Sequence, residues 1–201
     1  MTDARDDDLI HPTGFKMSEV SCSRCLYFHP GAPSVEDIRY RVWEPACGEG
    51  AISKVLEAHG LDVYSSDLAD RGYGRPGVDF LTCRPRHMFD VIITNPPFTH
   101  MLEFARRAVE LRPQKVCMIG RLLWLEGRHK KEFLETSGLS RVWVFSQRIN
   151  IAPARYKPKK PHNGLGGMVA FAWYVWEPRR LDRRSPELGW IDVTKLKDAP
   201  L

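Results

Sequence analysis

The stretch Phe89–Phe98, FDVIITNPPF, decides how this chain is read. Val91, Ile92, Ile93 and Thr94 are a β-branched run without polar alternation, the pattern of a strand buried on both faces of a parallel sheet. Asn95-Pro96-Pro97-Phe98 ends it abruptly. Two consecutive prolines remove two backbone donors and fix φ at both positions, so the turn is rigid and its carbonyls stay available as acceptors. Asn95 adds a side-chain carbonyl and Phe98 an aromatic face. An acceptor pair beside a stacking ring suits a planar exocyclic NH2 group, whose nitrogen lone pair is delocalised into its ring. Hydrogen bonds accepted from that group by the Asn95 side chain and the Pro96 carbonyl favour a pyramidal nitrogen with its lone pair aimed at an electrophile. Asn95, Pro96, Pro97 and Phe98 are therefore the catalytic candidates.

Strand and helix patterns alternate on both sides of this stretch. Upstream, Ile38–Glu44 (IRYRVWE) reads as a strand, and Ala51–His59 has helical spacing and stops at Gly60, a natural C-terminal cap. Asp62–Ser66 reads as a second strand and Gly77–Leu81 as a short third. Downstream come a helix over Met101–Leu111, a strand over Lys115–Ile119 and a helix over 127–137. Two β-rich runs follow, Arg141–Ile149 and Met168–Trp176, joined by a proline-rich basic connection rather than a helix. This order predicts a doubly wound α/β domain over 38–177. Residues 1–37 read as an N-terminal extension with little regular structure, and 178–201 as a tail that packs on the domain through Trp190 and Ile191.

In such a sheet, ligands bind at the carboxyl ends of the central strands, where the strand order reverses. The first strand runs into Glu44-Pro45-Ala46-Cys47-Gly48-Glu49-Gly50, and a helix follows directly. Gly48 and Gly50 allow close backbone approach. A dinucleotide fingerprint wants a third glycine where Ser53 stands, and Glu44 and Glu49 are poor neighbours for a pyrophosphate. They suit a ligand bearing an ammonium and a sulfonium, which points from NAD to S-adenosyl-L-methionine. Asp67, at the end of the second strand with Leu68 beside it, is placed to accept from two ribose hydroxyls. Asp79 and Phe80 are candidates to bind an adenine amino group and cover its ring.

VWEPACGEGAIS, SSDL, VDFL and DVIITNPPF, in this order and spacing, resemble class I S-adenosylmethionine-dependent methyltransferases. Within that class the chain is most similar to adenine-N6 DNA methyltransferases, especially the small stand-alone enzymes of phages and prophages. The resemblance spans about residues 38–177. It implies a Rossmann-like, doubly wound, seven-stranded sheet with an antiparallel last strand, carried by WYVWEP, and S-adenosyl-L-methionine as cofactor. It places Glu44, Ala46, Gly48 and Gly50 along the methionine part, with Pro45 and Cys47 in the same cofactor-binding turn. Asp67 and Leu68 fall at the ribose, Asp79 and Phe80 at the adenine, and Asn95 to Phe98 at the methyl acceptor, with Phe98 stacking on the target base. The aromatic-Thr-Pro cofactor motif of the family and its separate target-recognition domain are not found. Cys47 is not read as a nucleophile: attack on a cytosine ring carbon uses Pro-Cys after the fourth strand, where this chain has Pro-Pro.

Composition agrees with one soluble domain: 201 residues, 43% hydrophobic and 27% charged. No apolar run nears the ~20 residues of a membrane span, and MTDARDDDLI is acidic where a secretory leader is basic and apolar. Five scattered cysteines, an odd number, fit free thiols in a reducing, cytoplasmic setting. Cys22 and Cys25 form one CxxC with no second pair, so zinc is not the favoured reading. Residues 101–201 carry 20 basic and 10 acidic side chains, which points to a polyanionic partner, DNA first. Arg155, Tyr156, Lys157, Lys159 and Lys160 interleave cations with an aromatic in one loop, the composition of a nucleic-acid contact; Arg179, Arg180, Arg183 and Arg184 form a second cluster. DNA adenine ranks first as substrate, RNA adenine second and protein glutamine third. DNA cytosine-N4 methylation more often has Ser in place of Asn95. The rival class is a non-catalytic cofactor-binding or partner subunit. Choice of target sequence is left to the loops, the N-terminal segment, a homodimer or a specificity partner.

Overall fold

In a computed structural model that describes residues 41–149, 151, 169–179 and 185–192, the first strand, β1 (Arg41–Glu44), is completely buried from Val42 onward. It leads through the glycine turn into a short helix, α1 (Ser53–Ala58). Gly60 ends α1 at φ 79°, with its N–H donating to Glu57 O at 2.8 Å and Leu61 N–H to Leu56 O at 3.1 Å. This is a Schellman cap, the one that the glycine predicted. Next come β2 (Asp62–Ser65), β3 (Val91–Thr94), α2 (Met101–Glu110) and β4 (Lys115–Arg121). After these, α3 (Arg128–Thr136), β5 (Leu139–Phe145), β6 (Phe171–Trp176) and β7 (Glu187–Ile191) complete the described elements.

The seven strands form one sheet in the order β2-β1-β3-β4-β6-β5-β7. β1, β2, β3 and β4 are parallel neighbours, and β7 runs parallel to β5. β6 lies antiparallel between β4 and β5. Because the side-chain period is two, each central strand feeds two cores. Val42, Val91, Ile93, Cys117, Trp173 and Val175 pack on one face with Ile52 and Leu56 beside α1. Trp43, Ile92, Val116, Met118, Tyr174 and Trp176 pack on the other with Met101, Phe104, Ala105 and Ala108 of α2.

The antiparallel strand is therefore the expected WYVWEP segment, but the seven are made up differently from the sequence reading. Gly77–Leu81 is not a strand. Gly77 sits at φ 75°, outside the β region, and Asp79 closes a turn: its carboxylate accepts from Leu81 N–H at 3.0 Å and from the Thr82 hydroxyl at 2.9 Å. The seventh strand is instead Glu187–Ile191, read from sequence as tail. Gly189 is buried there against the Trp143 ring, 2.0 Å from where a Cβ would stand, so the position takes only glycine, whereas Trp190 is 64% exposed and not the packing residue expected. Ile191 does join the core.

Among the described residues no helix is long and apolar enough to cross a membrane, and no group of three His, Cys, Asp or Glu is placed to hold a metal. The extension 1–37, with Cys22 and Cys25, and the basic residues Arg155 to Lys160, Arg180, Arg183 and Arg184 lie outside the described residues.

Candidate active site

β1 and β3 are neighbours at the point where the order reverses, with β2 on one side and β4 on the other. The glycine turn and the Asn-Pro-Pro-Phe turn thus leave the same sheet edge side by side, where a doubly wound sheet holds its ligand. The sequence reading anticipated this juxtaposition.

The glycine turn is tied to the end of β2. Cys47 N–H donates to Ser66 O at 3.0 Å, Gly50 N–H to Cys47 O at 2.8 Å, and Gly48 N–H to Asp67 Oδ2 at 2.9 Å. Gly48 and Gly50 take φ values of 57° and 83°, which disfavour any side chain. They differ in what surrounds them. Nothing lies within 4 Å of where a Cβ on Gly48 would stand, whereas at Gly50 the Tyr73 ring is 2.5 Å away. Tyr73 is fixed there by its hydroxyl, which donates to the Glu57 carboxylate at 2.8 Å, and by Lys54 Nζ 5.1 Å from its ring centroid. Pro45 and Cys47 are buried, and burial pushes the Cys47 thiol up to about 12. A thiol with so little thiolate is no nucleophile.

Glu44 has another use than the one expected of it. It shares the Val42 face of β1, which looks at α1, so its carboxylate points under the turn and is buried. Ser53 N–H donates to Oε2 at 2.8 Å, the Ser53 hydroxyl donates to the same oxygen, and the Ser53 and Ser65 hydroxyls are 2.6 Å apart. Burial raises the Glu44 carboxyl from 4.5 to about 8, against the opposing hydrogen bonds from Ser53. The protonated form is thus favoured in the fold. The stability it contributes is complete below pH about 4.5 and is lost as pH rises through about 8. Thermal melts from pH 5 to 8 are expected to fall in the wild type relative to Glu44→Gln; parallel profiles would refute the burial effect.

Asp67, the residue expected at the ribose, is nearly buried, with Ala69 N–H donating to Oδ1 at 2.9 Å in addition to the Gly48 bond. Each carboxylate oxygen thus has one N–H donor and keeps lone-pair capacity for a hydroxyl. Leu68 is 68% exposed beside it, an apolar side chain left in solvent. Phe80 is a core residue, 5.0 Å from both the Trp43 and Phe104 ring centroids, so its ring is not at the ligand edge. The Asp79 carboxylate accepts one bond at each oxygen, both from its own turn.

At the end of β3, the Thr94 hydroxyl and Asn95 Oδ1 are buried and, among the described residues, without a hydrogen-bond partner. Such orphaned acceptors are uncommon and call for a donor. The Pro97 carbonyl is taken by His100 N–H at 2.8 Å, which leaves the Asn95 side chain and the Pro96 carbonyl as the pair this turn can offer. Phe98 meets Phe171 at 5.5 Å and opens onto a cleft of about 250 Å³ lined also by Thr99, Met101, Arg121, Leu123 and Trp124. Arg121, Leu123 and Trp124 were not legible as site residues; the one local signal was an arginine closing an otherwise apolar strand, KVCMIGR.

An S-adenosylmethionine-shaped ligand needs an open backbone surface, a hydroxyl acceptor and an apolar face for its adenine. Gly48, Asp67 and Leu68 provide these at one edge, and the orphaned Asn95 acceptor stands at the neighbouring turn. The residues present fit the group.

No protein-family model matches the sequence, and no curated protein matches it. Solved structures do share its fold. The 23S rRNA methyltransferase ErmE superposes with a TM-score of 0.53 at 15% identity, over 86% of this chain and 69% of its own. A hemolysin candidate from Lactococcus lactis reaches 0.52 at 11% identity, over 91% of this chain and 93% of its own. One from Streptococcus thermophilus gives 0.51 at 11%, over 85% and 67%. At these identities the likeness is one of fold. The seven-stranded sheet with its single antiparallel strand among the described residues is the class I methyltransferase fold.

Proposed function

We propose that this chain, which has the class I methyltransferase fold, transfers a methyl group from S-adenosylmethionine to an exocyclic amino nitrogen, with adenine N6 in DNA as the first acceptor. The observation that carries the reading is the buried, unpartnered Asn95 Oδ1 in a turn whose following prolines cannot supply a backbone donor. When bound, S-adenosylmethionine would supply an electrophilic methyl on a sulfonium: the S–CH3 bond breaks as the N–CH3 bond forms, the sulfur leaves as a neutral thioether, and the methylated nitrogen gives up one proton to solvent. Gly48 and Asp67 hold it at the ends of β1 and β2. Asn95 Oδ1 and the Pro96 carbonyl accept the two N–H bonds of the amino group, turning its lone pair out of the base plane and towards β1. Phe98 gives the base a stacking face. Alignment of this kind supplies much of the rate, because the donor is already activated. A base in a duplex must leave the stack to reach this turn.

RNA adenine is the second reading, and the likeness to an rRNA methyltransferase favours it. Purified protein is incubated with methyl-tritiated cofactor and, separately, DNA, RNA and a protein extract. Label in DNA at adenine N6 is the expected result. Label in RNA alone would move the acceptor to the second reading, and label in none would remove the activity.

A further inference from the structure

Two aromatic rings lining the cleft beyond the Asn-Pro-Pro-Phe turn each carry a cation. Arg121, the last residue of β4, holds its guanidinium carbon 5.2 Å from the Phe98 centroid. Lys130, in the first turn of α3, holds Nζ 5.6 Å from the Trp124 centroid. Phe98, Arg121 and Trp124 line the same cleft. The fold makes room for this arrangement at Gly127, which takes φ 115° and where a Cβ would stand 2.9 Å from Lys130 Cε.

Charge points the same way. Residues 121–131 contain Arg121, Arg128, Lys130 and Lys131 against the single carboxylate of Glu126. Lys131 is paired with Glu135 at 3.7 Å, whereas among the described residues neither Arg121 nor Lys130 has a carboxylate within 4.0 Å. A cation resting on a ring at the edge of the fold, where solvent reaches the charge, is held only weakly. Charge-assisted hydrogen bonds to a phosphate are stronger, so both groups are free to exchange the ring for an anion. Leu123, 63% exposed between them in sequence, adds an apolar surface at the rim.

We infer that the β4–α3 connection is the strand-binding rim of the acceptor site: Arg121 and Lys130 take phosphates flanking a nucleotide whose base enters the cleft. The inference rests on the nucleic-acid reading of that site and sharpens it to a single-stranded or extrahelical nucleotide. It also puts a strand contact on residues other than the 154–162 loop.

The test is a salt series of fluorescence anisotropy with a labelled, adenine-containing single-stranded oligonucleotide. Arg121→Gln/Lys130→Gln is expected to bind at least tenfold more weakly. Its log–log salt slope should be shallower by about 0.7 for each phosphate that the variant leaves unneutralised. Arg121→Lys/Lys130→Arg, which keeps both charges, should keep the wild-type slope. Cofactor affinity by calorimetry should be unchanged in every variant. A double Gln variant with the wild-type slope overturns the rim while leaving the methyltransferase reading intact. A wild-type protein that neither binds the oligonucleotide nor labels any nucleic acid overturns the nucleic-acid reading itself.

Discussion

Asn95→Ala is expected to slow methyl transfer roughly a thousandfold, the scale on which one positioned hydrogen-bonding group acts. Binding of S-adenosylmethionine should change little, because under the proposed function the ribose and methionine contacts are assigned to Asp67 and Gly48. Stability should move the other way from activity. A buried acceptor without a partner costs about 1–3 kcal/mol, so removing Asn95 Oδ1 relieves a penalty that the folded chain otherwise carries. The melting temperature of the variant should therefore hold or rise. Single-turnover transfer, calorimetric titration of cofactor and a thermal melt report the three quantities separately. Transfer at the wild-type rate would remove Asn95 from the acceptor site; a strong fall in melting temperature would show that its oxygen is satisfied after all.

The second large effect separates two glycines that look alike in sequence. Gly50→Ala puts a methyl group 2.5 Å from the Tyr73 ring at φ 83°. Left-handed strain of roughly 1–2 kcal/mol and overpacking of roughly 1–3 kcal/mol add to a loss of about 2–5 kcal/mol. That is a large part of the stability of a small domain. Tyr73→Ala in the Gly50→Ala background should recover the packing component and leave the backbone strain. Gly48→Ala meets nothing within 4 Å, so its stability cost should stay near the strain alone, about 1–2 kcal/mol. Its effect should appear instead as cofactor affinity weakened tenfold or more, since the methyl occupies the surface the ligand approaches. Urea unfolding and calorimetry on the variants give both numbers. Equal stabilities for Gly48→Ala and Gly50→Ala would contradict the packing of Tyr73, and normal cofactor binding by Gly48→Ala would move the ligand off this turn.

The parts of the fold that sequence made legible are those whose surroundings are uniform. Val91–Thr94 is buried on both sides, so every position had to be apolar or β-branched and the run announced itself. Gly60 was legible because a left-handed cap is a local requirement. VDFL misled, since Val78 and Phe80 alternate like a strand while Gly77 and Asp79 impose a turn: the Asp79 carboxylate takes its bonds from Leu81 and Thr82, and Val78 N–H donates to Asp67 O at 3.1 Å. ELGWI was hidden for the opposite reason: its bulky residues, Leu188 and Trp190, face solvent, and its packing position is a glycine that only the Trp143 ring explains. At the site, the juxtaposition of the two turns followed from the strand order. The direction of Glu44 did not, because it depends on which face of β1 meets α1. The cleft beyond Phe98 lies between the start of α2 and the residues that end and follow β4, and no local pattern marks such a meeting.

The position of β6 sets an order of assembly. β4 ends at Arg121 and β5 at Phe145, yet they are joined through Phe171–Trp176, all six residues of which are buried. On a ribosome, the half-sheet β2-β1-β3-β4, with the glycine turn and the Asn-Pro-Pro-Phe turn, can form early from parallel neighbours. The other side waits with one edge of β4 and both edges of β5 unpaired until the residues of β6, and then of β7, emerge. Chains that stop short of residue 171 should thus present open β edges and self-associate, so that the late β6 joins the two parts of the sheet and shortens the interval in which the chain is vulnerable.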